Sequence, residues 1–219
     1  MKNYAYRIFS LLFSLISILN ISYSQDYKII KSDDTQVILE FDFSNKFEVV
    51  DQIIDGIKFT NVKDVQYPIR KPGDPFLPVR FYEVGIPINK SAIVHIQAIE
   101  QEFYTDKFVI STPDSSDQPL DKLNYNEDVY GTNSFFPLDV AQINSYAIFR
   151  YIKTASLNVS PYQFNPVNRT LVLNKKIVMQ IEFKEDITFG DLILPIRDKM
   201  SEDLIKCKVI NPEEALTFL

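Results

Sequence analysis

From residue 26 to residue 186 the chain offers no helical stripe of about 12 residues or more, while apolar residues recur at every second position. Val37, Leu39, Phe41 and Phe43 fall on one side of the segment 35–43, the alternation of a half-buried strand. Ala92, Val94, Ile96 and Ala98 share a face in the same way. Asp55-Gly56 separates two apolar runs and supplies the two positive-φ positions of a tight hairpin turn. Val79–Val84 reads as a strand ended by Gly85 and Pro87. Phe103–Ile110 extends the sheet, and Ser145–Val159 is either a strand pair or one bent strand. Two proline-bounded turns at Pro161 and Pro166 then feed a closing hairpin, with Asn168-Arg169 and Asn174-Lys175 marking its turns. Short strands joined by proline turns predict an all-β fold: a two-layer, mostly antiparallel β-sandwich over about Tyr27–Phe183, with a short helical C-terminal tail. Val37, Leu39, Phe41, Val94, Ile96, Ile177, Met179 and Ile181 are its expected buried positions.

The first 24 residues read as a secretory signal: Lys2 and Arg7, then a mostly apolar stretch, then Ser22-Tyr23-Ser24 as the cleavage site. The apolar run falls short of the roughly 20 residues that span a bilayer. Removing it takes away two basic residues and no acid, so a chain of formal charge −6 becomes one of about −8. Such a surface excludes nucleic acid as a partner, because phosphate binding needs clustered cations. Residues 25–186 form the expected sandwich domain, and 187–219 a linker and possible start of a following domain. Within that tail Asn211-Pro212-Glu213-Glu214 has the form of a capped helix start, with Ala215, Leu216, Phe218 and Leu219 as its apolar side. A helix so short suits a longer precursor. Asp198–Lys206 is a second helical candidate.

The chain carries one His and one Cys. No intrachain disulfide can form, so the core must hold the exported fold. A cysteine peptidase pairs a thiolate with an imidazole. Here His95 lies on a strand, on the side opposite the core set, and Cys207 lies in the tail. This argues for no catalytic residues and no enzyme activity in the chain. Zinc of the common type needs three or four His or Cys ligands, and the phosphate-cradling glycine patterns are absent, so no metal or cofactor is expected. Glu100 and Glu102 share a strand face, as a solvated edge does. Nothing in their spacing marks an acid–base pair.

Two blocks carry a family resemblance. Pro161-Tyr162-Gln163-Phe164-Asn165-Pro166-Val167-Asn168-Arg169-Thr170-Leu171-Val172-Leu173, followed by Ile177-Val178-Met179-Gln180-Ile181-Glu182-Phe183, resembles the end of the N-terminal pro-domain of gingipain-type cysteine peptidases. Pro72-Gly73-Asp74-Pro75-Phe76-Leu77-Pro78-Val79, then Ile86-Pro87 and Ala92–Ile96, resembles an earlier part of it. The likeness covers about Pro68–Phe183. It implies a non-catalytic, secreted pro-domain that assists the folding of a gingipain-type cysteine peptidase domain and inhibits it, in cis or in trans. It also implies passage through the periplasm of a Gram-negative bacterium and contact with outer-membrane secretion machinery.

Such domains can place a basic side chain in the partner's specificity pocket. The segment Ser111–Ser134 is longer than most connections in a compact domain, and long loops are often functional. It holds Asp114, Asp117, Asp121, Glu127 and Asp128 against one basic residue, Lys122. Lys122 is therefore the first candidate inhibitory contact, and Arg70 and Lys71 in the Pro68–Pro72 turn are the second. The alternative reading is a cell-surface adhesion or carbohydrate-binding sandwich, with Tyr125, Tyr130, Phe135 and Phe136 as a stacking platform. Against it stands the absence of Trp.

Overall fold

The computed structural model describes residues 26–54, 56–63, 71–115, 118–119, 122–186 and 197–218. Among them, ten strands and three short helices run in the order β1 (Tyr27–Ser32), β2 (Gln36–Asp42), β3 (Glu48–Ile54), β4 (Ile57–Lys63), β5 (Arg80–Ile86), β6 (Lys90–Tyr104), α1 (Glu127–Tyr130), β7 (Ala141–Phe149), β8 (Ile152–Val159), β9 (Tyr162–Asn165), β10 (Thr170–Glu185), α2 (Lys199–Lys208) and α3 (Pro212–Ala215). One antiparallel sheet has the order β1-β2-β10-β6, with β9 also paired to β10. A second has the order β5-β8-β7, and β3-β4 is a separate hairpin. The expected all-β sandwich is the fold observed.

The core lies between the inward faces of the two larger sheets. Val37, Leu39 and Phe41 of β2 and Ile177, Met179 and Ile181 of β10 are fully buried against Val84, Ile86, Ala155, Leu157 and Val159 from β5 and β8. Burying each such side chain contributes roughly 1.5–3 kcal/mol, which replaces what disulfides supply elsewhere. Tyr27, Phe41, Phe43, Phe47, Tyr82 and Tyr162 continue this core as a chain of ring pairs, stacked between Phe41 and Phe43 and tilted or edge-on elsewhere.

Several local expectations are corrected. Asn174-Lys175 is a bulge inside one 16-residue strand rather than a turn. The Asn174 side chain is fully buried and donates to Ser160 O at 3.0 Å, which ties β10 to the turn before β9. The strand of residues 103–110 stops at Tyr104; beyond it only Val109 bridges to Thr60, in parallel. Ser145–Val159 resolves into a hairpin, β7 and β8, that begins earlier, at Ala141. Ile96 was expected in the core but is 42 % exposed. Its strand is the sheet's edge, and the bulge that skips Gln97 lies beside it. Val94 is only half-buried, although it packs on the core.

The tail also departs from the linker expectation. Residues 187–196 lie outside the described residues, but 197–218 dock on the sandwich. Ile205, Val209 and Ala215 are buried with Tyr151 and Ile152. Val209 bridges Glu83 in parallel and Ile210 N donates to Glu83 O at 2.9 Å, so the tail covers the free edge of β5. Asn211 does not cap α3. Its carboxamide instead accepts from Gly85 N at 2.7 Å and donates to Gly85 O at 2.9 Å, and the residue is fully buried. A buried amide is better spent on a pair of strand-edge groups than on a helix end that water can reach.

The tail packs tightly on Gly85. A methyl group there would overlap the Ala215 methyl and press on Val209. Gly85→Ala is expected to cost about 1–3 kcal/mol by overpacking. Adding Ala215→Gly should restore most of that loss in denaturant titrations, because it removes the nearest clashing atom.

Candidate docking loop

The long connection between β6 and β7 is held at its neck by the Pro72–Pro75 turn. Gly73 sits at φ +88, a conformation that suits a residue without Cβ. Its N–H donates to Thr112 O at 2.9 Å and its carbonyl accepts from Asn126 N at 2.9 Å, so one residue ties both legs of the loop. Asp74 O accepts from Thr112 N at 2.7 Å, and Asp74 Oδ1 accepts from Asn126 Nδ2 at 2.7 Å. Ser111 Oγ donates to Asn124 O across the neck at 2.6 Å, and the Tyr130 hydroxyl donates to Val109 O at 2.9 Å. Asn126 also caps α1 by accepting from Asp128 N.

The outer part of the loop closes on itself. Asn124 Nδ2 donates to Asp114 Oδ2 at 2.6 Å, while Gln118 accepts from Asp114 N and donates to Lys122 O at 2.8 Å. Under this belt, Leu123 is buried with Phe59 and Ile110. The described residues of the loop are thus tied to one another and to the turn beneath, with polar side chains outward. The side chain of Lys122 stands exposed on its return leg. Ordering before binding lowers the entropy lost when a partner docks.

Of the other candidates, Lys71 is exposed and its carbonyl accepts from Asp74 N at 3.1 Å, within the same turn that staples the loop. Lys71 and Lys122 therefore belong to one hydrogen-bonded substructure. Arg70 lies outside the described residues. The four rings of the alternative platform are each half-buried. Tyr125 and Tyr130 meet edge-on at 4.8 Å, and Tyr130 and Phe136 pack against the main core. Burial pushes the phenols of Tyr125 and Tyr130 above the usual range. These rings support the loop rather than offer a flat stacking face.

His95 is exposed beside Glu182, with Nε2 at 3.1 Å from Oε2, and Cys207 is exposed on α2. Among the described residues no group of three His, Cys, Asp or Glu side chains is arranged to hold a metal ion. The sequence reading missed the stapling roles of Gly73, Asn126 and Ser111. A Gly between two prolines was the available signal, since it marks a positive-φ turn. Its hydrogen-bond partners lie about 40–50 residues further on, beyond any local pattern.

Gly73→Ala is expected to destabilise the fold by about 1–2 kcal/mol, because alanine pays for left-handed backbone and its methyl crowds Asn126. Amide exchange at position 73 and at Asn126 should quicken by more than exchange in β10. Equal changes in both places would mean that the neck does not open as a separate unit.

Comparison with known proteins gives a consistent set of relatives. The family described as Propeptide_C25 matches residues 24–201. Gingipain R2 of Porphyromonas gingivalis is 25 % identical over 147 residues, covering 58 % of this chain and 19 % of its own length. Lys-gingipain of the same organism is 22 % identical over 127 residues, covering 54 % of this chain and 7 % of its own length. The chain therefore spans less than a fifth of these curated relatives. Among solved structures, a complex of Porphyromonas gingivalis RgpB pro- and mature domains contains a chain that superposes with a TM-score of 0.72 at 18 % identity, covering 86 % of this chain and 98 % of that one. A structure on zymogenic latency of gingipain K superposes with a TM-score of 0.58, also at 18 % identity, over 72 % of this chain and 92 % of that one. At these identities the likeness to the solved structures is one of fold.

Proposed function

The chain belongs to the Propeptide_C25 family, and from that premise we propose that it is a non-catalytic inhibitor and folding assistant of a gingipain-type cysteine peptidase domain. Its standing as a gingipain-type propeptide rests on the family match over residues 24–201 and on the fold shared with pro-domain structures. The observation that supports inhibition is the stapled loop. Its described residues are joined by hydrogen bonds within the chain itself, and Lys122 stands exposed among them in an acidic segment. An exposed ammonium on a rigid loop can enter an acidic specificity pocket and form charge-assisted hydrogen bonds there. Lys71, on the turn that holds the loop, is the second contact, and Arg70 belongs to the same proposal by its place in the sequence.

The isolated domain should inhibit a mature gingipain-type peptidase added in trans, while cleaving no peptide itself. Lys122→Ala should weaken that inhibition about ten- to a hundredfold, the loss of a contact worth roughly 1.5–3 kcal/mol. Folding should change by no more than about 0.5 kcal/mol. Lys199→Ala, at a side chain 85 % exposed on α2, is the neutral control. If Lys122→Ala inhibits like the parent while Lys71→Ala or Arg70→Ala does not, the inhibitory element is the turn. If none of the three matters, the loop and its turn do not supply the inhibitory cation.

Folding assistance follows from the same surface, because a partner that binds the folded peptidase domain and not its unfolded chain stabilises it by mass action. The proposal extends to export: residues 1–24 direct the protein out of the cytoplasm, and outer-membrane secretion machinery carries the pro-form onward. Intact-mass analysis of secreted material should then show Gln25, or its cyclised form, as the first residue. Recovery of uncleaved Met1–Ser24 in a membrane fraction would point to an anchor.

A further inference from the structure

We propose that the cavity between β4, the turn after β6 and the turn before β10 is a docking pocket for an aromatic side chain of the peptidase partner that stands next to a carboxylate. This rests on the reading of the loop as the partner-facing surface, because Tyr125, on the loop's return leg, forms one wall. The cavity measures about 330 Å³ and is lined by Ile57, Lys58, Phe59, Asp106, Phe108, Tyr125 and Arg169. That size lies at the low end for ligand pockets and suits one inserted ring. Its walls are the rings of Phe59, Phe108 and Tyr125, each pair packed at 5.8 Å around Phe108. A further ring inserted there would find the edge-on and tilted partners that aromatic groups prefer. Interface hot spots are commonly aromatic anchors in such pockets.

Charge specifies the neighbour of that ring. Partial burial opposes the ionisation of Asp51, but hydrogen bonds from Lys107, Thr60 and Lys58 outweigh it and hold its carboxyl below the usual range. Lys58 lies 3.2 Å from Asp51 and 3.5 Å from Asp106, and Lys107 lies 2.7 Å from Asp51. Three cations therefore face two carboxylates at this rim. Arg169 is the cation that pairs with no carboxylate among the described residues. Its guanidinium lies over the Phe108 ring at 5.8 Å, and the residue lines the cavity. A planar guanidinium in that position matches a carboxylate in a two-bond fork.

The backbone supports a binding role. Asp106 and Arg169 both adopt positive φ, 55 and 50 degrees, and Lys107 N donates to Arg169 O at 3.0 Å. Two left-handed residues from distant parts of the chain are thus locked together, and both side chains line the cavity. Arginine is unfavourable in this conformation where glycine is not. Left-handed residues that persist beside a pocket motivate a test of function there.

The test uses N-acetyl-Phe-Glu-amide titrated into the labelled full chain and followed by NMR. N-acetyl-Phe-Gln-amide and N-acetyl-Ala-Glu-amide serve as comparison peptides. Saturable shifts at Phe59, Phe108, Tyr125 and Arg169 are expected with the first, at least about fivefold tighter than with either of the others. Arg169→Gly should abolish the preference for Glu over Gln while leaving the melting temperature unchanged or higher, since it relieves the backbone. A lower melting temperature with the preference intact would assign Arg169 to structure and overturn its role. Absence of saturable shifts at the pocket, or equal binding of the three peptides, would overturn the proposal. In a parallel assay Arg169→Gly should weaken inhibition of a mature gingipain-type peptidase about tenfold. Inhibition by the parent with no peptide binding and no effect of Arg169→Gly would leave the inhibitor reading standing and remove the pocket. Peptide binding in the pocket with no inhibition by the parent would remove the inhibitor reading instead.

Discussion

Everything in this fold hangs on β10. It pairs with β6 along one side from Leu171 to Glu185, and with β9 and then β2 along the other. From Ile177 onward its inward side chains are Ile177, Met179, Ile181 and Phe183, all buried, so one strand supplies both the central hydrogen-bond ladder and the middle of the core. A slip of one residue would turn this apolar row toward water and bury Lys176 and Gln180 in its place. Register is therefore strongly specified, in a protein without a disulfide to specify it.

The point where β9 gives way to β2 along β10 is the one interruption in that side of the ladder. There the strand bulges between Asn174 and Lys176. Asn174 N donates to Pro161 O, its carboxamide donates to Ser160 O, and Phe43 N donates to Lys175 O, all within 3.0 Å. Buried polar side chains do similar work elsewhere. Asn211 pairs with the backbone of Gly85, and the buried Lys153 ammonium donates to Ile88 O and Lys90 O, with Asp186 at 3.8 Å. Burial pushes the Lys153 ammonium below its ordinary pKa, against the pull of Asp186. Each of these groups would be costly to leave unpaired. Each therefore favours the single arrangement in which loops, tail and sheets meet.

The parts legible in the sequence were those governed by local period. The alternation in β2 and in the second half of β10 marked buried faces correctly, and the proline turns marked strand ends. Ile96 was misplaced because alternation shows which way a side chain points, not whether a second layer covers it. An edge strand that outruns its facing sheet leaves inward residues half-exposed. Asn174-Lys175 read as a turn because Asn-Lys chemistry suits a turn and a bulge alike. The tail read as a linker for a different reason. Ala215 and Val209 are sparse apolar residues, and their partner is a glycine on β5 more than a hundred residues away. The site was visible as a long acidic loop with one lysine, but not as a stapled one. The staple joins backbone groups of Gly73 and Thr112 with side chains of Asp74, Ser111 and Asn126 that are distant in sequence, so no local pattern marks it.

That staple links the physics of the fold to the proposed function. A loop aimed at a peptidase cleft faces two opposed demands: it must reach into a site built to cut extended chains, and it must resist being cut. Extended, mobile segments are what peptidases bind productively, because cleavage requires local unfolding where a loop is ordered. Here Gly73 ties both legs, Asp114 and Asn124 close the outer ring, and Leu123 is anchored under the belt. Opening the loop far enough to present an extended backbone would break these contacts together. In the proposed mode Lys122 enters a specificity pocket while its own N–H donates to Pro119 O and its carbonyl accepts from Gln118. Inhibition of this kind draws its strength from the rigidity of the loop's neck as much as from the charge it displays.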